Sequence, residues 1–148
     1  MQKKLLKISV ILLVVFIFLT SISAMASQVT QKEVASSGEN DPVAVVREFY
    51  EAIANREFKT AYYLRSGTYR SEHSYNWFYN NWSSNKYIEL ISATYIESDN
   101  EYEAVIKIRT YSEDYNSKGK LTKAYYRGKA YLVWENGWKI DDVSVKQE

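Results

Sequence analysis

Few residues in this chain are of a type that could carry out chemistry. They are the single histidine, His73, the adjacent carboxylates Asp141 and Asp142, and an unusual supply of aromatic side chains, 14 tyrosines and four tryptophans among 148 residues. A histidine acting as general base needs burial and an orienting carboxylate. His73 stands in the polar run Ser71-Glu72-His73-Ser74, where a surface or helix-start histidine is the simpler reading. Asp141 and Asp142 resemble a catalytic pair until their adjacency is considered. Neighbours on a strand point to opposite faces, so at most one enters a pocket and a bulge or turn is the simpler role. There is no cysteine and no second histidine, and no acidic cluster has ligand spacing. A metal centre, a disulfide and a thiol nucleophile are therefore not expected. No cofactor motif occurs, and no catalytic set is identified.

The aromatic residues point to binding. Tyr63, Trp77, Tyr126 and Trp134 could line a pocket that stacks on a sugar, a peptide or a flat ligand, or could simply fill the core. Lys107, Arg109, Lys123, Arg127 and Lys129, interleaved with Tyr125 and Tyr131, could make a basic, aromatic sheet face for a wall polymer, anionic headgroups or an acidic protein. The alternative is a solvated face whose charges discourage aggregation.

These side chains need elements to position them. Asp41-Pro42 opens a helix, since Asp is a good N-cap and Pro suits the first helical position. Val45, Val46, Phe49, Tyr50 and Ile53 then recur at helical spacing. Phe58–Leu64 reads as a second, short helix packed by Phe58, Ala61 and Tyr62, and Ser66-Gly67 as a break. Ser71–Trp82 is a third helix, with Trp77, Phe78 and Trp82 sharing a face with Ser74. From Tyr87 the period becomes two. Ile88, Leu90, Ser92, Thr94 and Ile96 share one face of the first strand. Tyr102, Ala104, Ile106 and Ile108 are the inner face of the second, over 101–111, and Ser112–Lys120 reads as a solvent loop. Ala124, Tyr126, Gly128, Ala130, Leu132 and Trp134 are the inner face of the third. It turns at Asn136-Gly137, a two-residue hairpin signal, into a fourth strand with a bulge at Asp141-Asp142.

The N-terminus has a different character. Lys3, Lys4 and Lys7 precede the apolar run Ile8–Leu19, and Ala24-Met25-Ala26 has the form of a cleavage site, so residues 1–26 read as an export signal. The alternative is an uncleaved anchor, since residues 5–26 approach the ~20 residues that span a bilayer. Residues 27–40 are polar and aperiodic and read as a flexible tether, followed by one domain over 41–148. Removing residues 1–26 leaves 16 basic against 18 acidic residues, a net −2, which gives no electrostatic case for nucleic acid. An exported domain without disulfides points to a bacterial envelope or extracellular protein.

Helices followed by a four-stranded antiparallel meander make an α+β domain, with N-terminal helices packed on a bent sheet. The opening Val46-Arg-Glu-Phe-Tyr-Glu-Ala-Ile-Ala-Asn-Arg-Glu-Phe-Lys-Thr-Ala-Tyr62 and the ending Val133-Trp-Glu-Asn-Gly-Trp-Lys-Ile-Asp-Asp142 carry a resemblance to the nuclear transport factor 2 (NTF2)-like superfamily, also called cystatin-like or SnoaL-like. It covers about residues 42–146 and is closest to exported bacterial members. The resemblance implies a cone between helices and sheet. It also implies a strand between the second and third helices that the sequence does not display, and a fold that hosts isomerases and dehydratases beside binding modules. The expected function is a non-catalytic binding or interaction module of the bacterial envelope, whose partner is an envelope protein, a wall polymer or a small ligand. A small-molecule enzyme using the cone with His73 or Asp142 as base is one alternative. A membrane-anchored part of a secretion or conjugation assembly is another. A homodimer through the exposed sheet face is implied by the resemblance.

Overall fold

A computed structural model describes residues 41–148 apart from Asp99 and the side chain of Glu97. The export signal or anchor and the tether lie outside the described residues. In chain order the elements are α1 (Pro42–Ala54), α2 (Phe58–Tyr63), α3 (Gly67–Glu72), α4 (Tyr75–Ser83), β1 (Tyr87–Glu97), β2 (Glu103–Tyr115), β3 (Leu121–Trp134) and β4 (Trp138–Gln147). The strands form one antiparallel sheet in the order β1-β2-β3-β4.

α1 forms as its sequence dictates. The Asp41 carboxylate accepts the Val43 N–H at 2.9 Å, Pro42 occupies the first turn, and Val45, Val46, Phe49, Tyr50 and Ile53 are buried on one side. That side lies on β1, β2 and β4. α2 buries Phe58, Ala61 and Tyr62 against α1 and α4. The segment expected to be a break instead starts a helix. The Ser66 hydroxyl accepts the Tyr69 N–H at 3.0 Å and caps α3. The chain breaks later, at His73-Ser74, where Ser74 caps α4. A helix beginning at Ser71 is thereby corrected to two helices, and Phe78 is the one residue of α4 that is fully buried.

The sheet also departs from the simple alternation. β1 carries irregularities at Leu90/Ser92 and Tyr95/Glu97. The first leaves Ile91 without a partner and reverses the parity, so Ile88, Leu90 and Ala93 lie against the core where Ser92 and Thr94 were expected. β2 runs on to Tyr115, and Ser112 is a buried strand residue, not the start of a loop. The turn begins at Asn116, whose side-chain oxygen accepts from Lys118 N and Lys120 N. Trp134 pairs with Trp138, so the last hairpin has a three-residue loop of Glu135, Asn136 and Gly137. Asn136 and Gly137 take φ of 53° and 125° there, as the Asn-Gly signal requires. The bulge expected in β4 is present, with Asp141 as the extra residue between Ile140 and Asp142.

One end of the cone is filled and the other is not. Ala104, Ile106 and Ile108 of β2, Ala130 and Leu132 of β3, and Ile140 of β4 pack beneath α1 with Phe49 and Phe78. Towards the other end the inner face of β2 changes from isoleucine to Thr110 and Ser112. Gly128, between the two, lies so close to β4 that a Cβ there would stand 1.9 Å from the Ser144 carbonyl oxygen. Because backbone must move to admit a methyl group, Gly128→Ala is expected to cost more than about 3 kcal/mol in urea unfolding. Gly67→Ala, whose Cβ would meet only the Glu135 carboxylate at 3.5 Å, is the control for position, and equal stability of the Gly128 variant and the parent would contradict this packing.

Candidate functional site

The site is built by a short segment that leaves α2 and docks on β4. Leu64 O accepts from Ile140 N at 2.9 Å, and Ser66 N donates to Ile140 O at 3.0 Å. Arg65 is thereby placed in a parallel bridge with Ile140. This single bridge occupies the place of the strand that the sequence did not display. Three side-chain contacts reinforce it. Ser66 Oγ donates to Asp141 Oδ1 at 2.5 Å, Arg65 Nη2 donates to Asp141 O at 2.8 Å, and the Glu135 carboxylate accepts the Gly67 N–H at 2.8 and 3.1 Å.

Above this seam a cavity of about 480 Å³ opens between α1, α3, α4 and the polar end of the sheet. Arg65 and Tyr50, each only 4% exposed, form its innermost polar groups. Tyr69, His73, Trp77 and Trp82 border it from the helices, and Thr110, Ser112, Tyr126 and Asp142 from the sheet. The Arg65 guanidinium lies 3.5 Å from the centre of the Tyr69 ring and 5.8 Å from that of Phe49, a cation over two ring faces. Burial lowers its pKa, while Tyr69, Asp142, Tyr50 and Asp141 each favour its charge. Burial pushes the Tyr50 phenol far above its ordinary 10.0, against an opposite pull from Arg65, so its hydroxyl stays a proton donor. His73 stacks on Trp77 with ring centres 4.2 Å apart and tilts over Tyr69 at 4.6 Å. Among the described residues no carboxylate hydrogen-bonds its ring, so the orienting partner of a general base is missing.

The aromatic residues singled out from the sequence separate. Trp77 and Tyr126 border the cavity. Trp77 stands on its rim, 47% exposed, not in a shared buried face as expected. Tyr63 lies outside the cavity, because α2 buries Tyr62 and turns Tyr63 out beneath Arg70. Trp134 is also outside, packed edge-on against Trp138 at 5.4 Å. Eight residues of strand, about 26 Å, separate it from Tyr126, so one pocket cannot hold both. Of the acidic pair, Asp141 serves the seam and Asp142 borders the cavity, a division that the bulge creates. Arg65, Tyr50 and Tyr69 were not foreseen as site residues. The signal for Tyr50 was present in the inward face of α1, and the missing strand marked the place of Arg65.

On the outer sheet face Lys107 lies opposite Lys129 and Arg109 opposite Arg127. Arg109 is bound to Glu148 at 2.8 Å and stacks on Tyr125, and Lys123 is bound to Glu113 at 2.9 Å. Among the described residues Lys107, Arg127 and Lys129 make no ion pair. The basic face is therefore partly neutralised by its own chain. Among the described residues no group of acidic and histidine side chains could hold a metal ion, and no helix is long and apolar enough to cross a membrane.

Tyr50 gives the site a pH signature. Unfolded tyrosine loses its proton near pH 10, whereas buried Tyr50 keeps it, so above that pH the unfolded state binds fewer protons. Its share of stability is complete below pH 10 and is lost as pH rises beyond it. Urea midpoints at pH 9 and 11 are expected to show Tyr50→Phe losing about 1 kcal/mol less than the parent over that interval. Parallel losses would contradict the burial of this hydroxyl.

No protein-family model matches the sequence, and no curated protein matches it. Solved structures match the fold. An NTF2-like superfamily protein from Salmonella enterica aligns with 76% of this chain and 92% of its own length, at 11% identity and a TM-score of 0.58. A candidate dehydratase of the NTF2-like family from Streptomyces avermitilis aligns with 70% of this chain and 92% of its own, at 14% identity and a TM-score of 0.52. A candidate polyketide cyclase from Xanthomonas campestris aligns with 74% of this chain and 91% of its own, at 11% identity and a TM-score of 0.51. The domain has the NTF2-like fold, an α+β cone of helices on a curved four-stranded antiparallel sheet.

Proposed function

We propose that this chain is an exported, non-catalytic module of the bacterial envelope that binds a small ligand in the open end of its cone. The observation that carries this reading is the cavity of about 480 Å³, with aromatic rings on its walls and a few convergent polar groups at its base. A volume of that order suits a ligand of one or two rings. The absence of an orienting carboxylate on His73 among the described residues argues against acid–base work there. The charge-free run and cleavage motif in residues 1–26 support export.

The test of the pocket uses N-phenyl-1-naphthylamine, an uncharged dye that brightens in apolar surroundings. The full chain is expected to bind it saturably. Trp77→Ala, which removes one aromatic wall, is expected to weaken binding about three- to tenfold, while Trp134→Ala leaves it unchanged. Absence of saturable binding both by this dye and by flat aromatic ligands that carry a carboxylate or an amide would sink the small-ligand reading. Export has its own test. Expression in a bacterial host should yield a chain beginning at Ser27 outside the cytoplasm, and a full-length chain retained in the membrane fraction would instead favour an anchor.

A second reading, a small-molecule isomerase, dehydratase or hydrolase, is favoured by the presence of His73, Asp142 and three tyrosines around one cavity. The fold neighbours described as a candidate dehydratase and a candidate cyclase keep it in view. An activity abolished by Asp142→Asn but not by Asp141→Asn would establish it.

A further inference from the structure

We propose that the base of the cavity is a carboxylate-binding subsite, in which the Arg65 guanidinium and the Tyr50 hydroxyl hold the oxygens of a flat, carboxylate-bearing ligand. This deepens the small-ligand reading and rests on it. The first ground is the state of Arg65. A guanidinium offers five N–H donors, yet among the described residues its one hydrogen bond runs from Nη2 to Asp141 O, and Nε is buried with no partner. A buried donor without an acceptor keeps the full penalty of its lost hydration, and more so when charged, so an acceptor brought by a ligand is strongly favoured.

The second ground is what the neighbouring carboxylates do. Asp141 and Asp142 both lie near enough to stabilise the Arg65 charge. Neither forms an ion pair with it among the described residues. Asp141 is engaged by Ser66 Oγ, and Asp114, at the far wall, accepts from Ser112 Oγ at 3.0 Å and Asn85 Nδ2 at 3.1 Å. Asp142 is exposed, so solvent screens its repulsion of an incoming anion. The guanidinium fork therefore remains uncommitted beside acids that already have other partners or water.

Geometry selects the ligand's shape. Tyr69 and Phe49 turn their ring faces to the guanidinium carbon, at 3.5 and 5.8 Å, and a ring face supplies no strong acceptor for its N–H groups. The N–H groups point outward along the edge of the fork, where a planar carboxylate can take two parallel N–H bonds. Tyr69 is half-buried on the six-residue α3, and a ligand reaches the fork by shifting this ring aside. Tyr50, bordering the same cavity and kept protonated by burial, adds a donor and presents no negative charge. The rings of Trp82 and Tyr126 on the walls suit an aromatic body on the ligand.

The experiment compares 2-naphthoate with 2-naphthamide, which share one ring system and differ in the charged group, by calorimetric titration of the full chain at low salt. The acid is expected to bind at least tenfold tighter than the amide. Tyr50→Phe, which keeps the ring packing, should reduce that preference several-fold, and Arg65→Met should abolish it. If Arg65→Met does not fold, Arg65→Lys, which keeps the charge and loses the fork, is expected to reduce the preference as well. Equal affinity for acid and amide, or a preference untouched by Tyr50→Phe and the Arg65 variants, overturns the carboxylate subsite while leaving the pocket in place. Binding of N-phenyl-1-naphthylamine without either naphthyl compound has the same meaning. Failure of all three overturns the pocket reading together with the subsite.

Discussion

The docking of Leu64–Gly67 on the edge of β4 is the constraint from which the open end of this domain follows. Two backbone hydrogen bonds to Ile140 fix the segment, and Asp141 and Glu135 then bind the three residues that come next. An exposed strand edge is a template for unwanted pairing; here a length of one bridge covers it and no more. Because the segment is short, it delivers Arg65 into the interior and then turns at once into α3, capped by Ser66. Tyr69 and His73 follow on that helix, so the seam decides what stands above the cavity. The carboxylate of Glu135 in the last hairpin, on the Gly67 N–H, ties the start of α3 to the far end of the sheet.

The cavity itself results from a change of composition along one strand. Ala104, Ile106 and Ile108 supply enough apolar volume to meet Phe49 and Phe78, and that end closes. Thr110 and Ser112 continue the same face with less volume and with hydroxyls, opposite Tyr126 and Ala124. Packing to native density then fails for want of side-chain volume. Placing a buried arginine in such a region is costly in isolation, but cation–π contact with two rings and the nearby aspartates offset part of the desolvation. What they do not supply is an in-plane acceptor for Nε. A fold that keeps a charge in this position, with donors left over, is one in which a local rule is broken where binding is expected.

How much of this was legible in the sequence depends on which signal each residue carried. α1 was legible because cap, proline and apolar spacing agree, and β3 because Ala124, Gly128, Ala130 and Leu132 alternate with Lys123, Arg127, Lys129 and Tyr131. The β4 bulge was legible since Trp138 and Ile140 conflict in parity with Val143 and Val145. β1 was not, since Ile91 and Ile96 are apolar on either face and conceal the irregularities. The end of β2 was hidden by polarity: Ser112 and Asp114 look like loop residues when the wall they form lines a cavity. α3 was missed because Ser66-Gly67 reads equally as a stop and as a cap with the first helical residue. Arg65 was missed for the plainest reason, that an arginine between Leu64 and Ser66 looks like surface charge until the partner strand is known. The NTF2-like resemblance pointed to a strand at that place, which is where the residue lies.

The claim on which the account depends is that Arg65 is buried at the base of an open cavity with its Nε–H uncommitted among the described residues. Nuclear magnetic resonance observes that group directly, through the Nε–H correlation of the full chain, assigned by its disappearance in Arg65→Lys. The account predicts a resolved Arg65 resonance that exchanges with water far more slowly than those of the exposed arginines and moves on titration with 2-naphthoate. A signal that exchanges as fast as theirs, at their common position, would mean that Arg65 stands in solvent and that the cavity has no charged base.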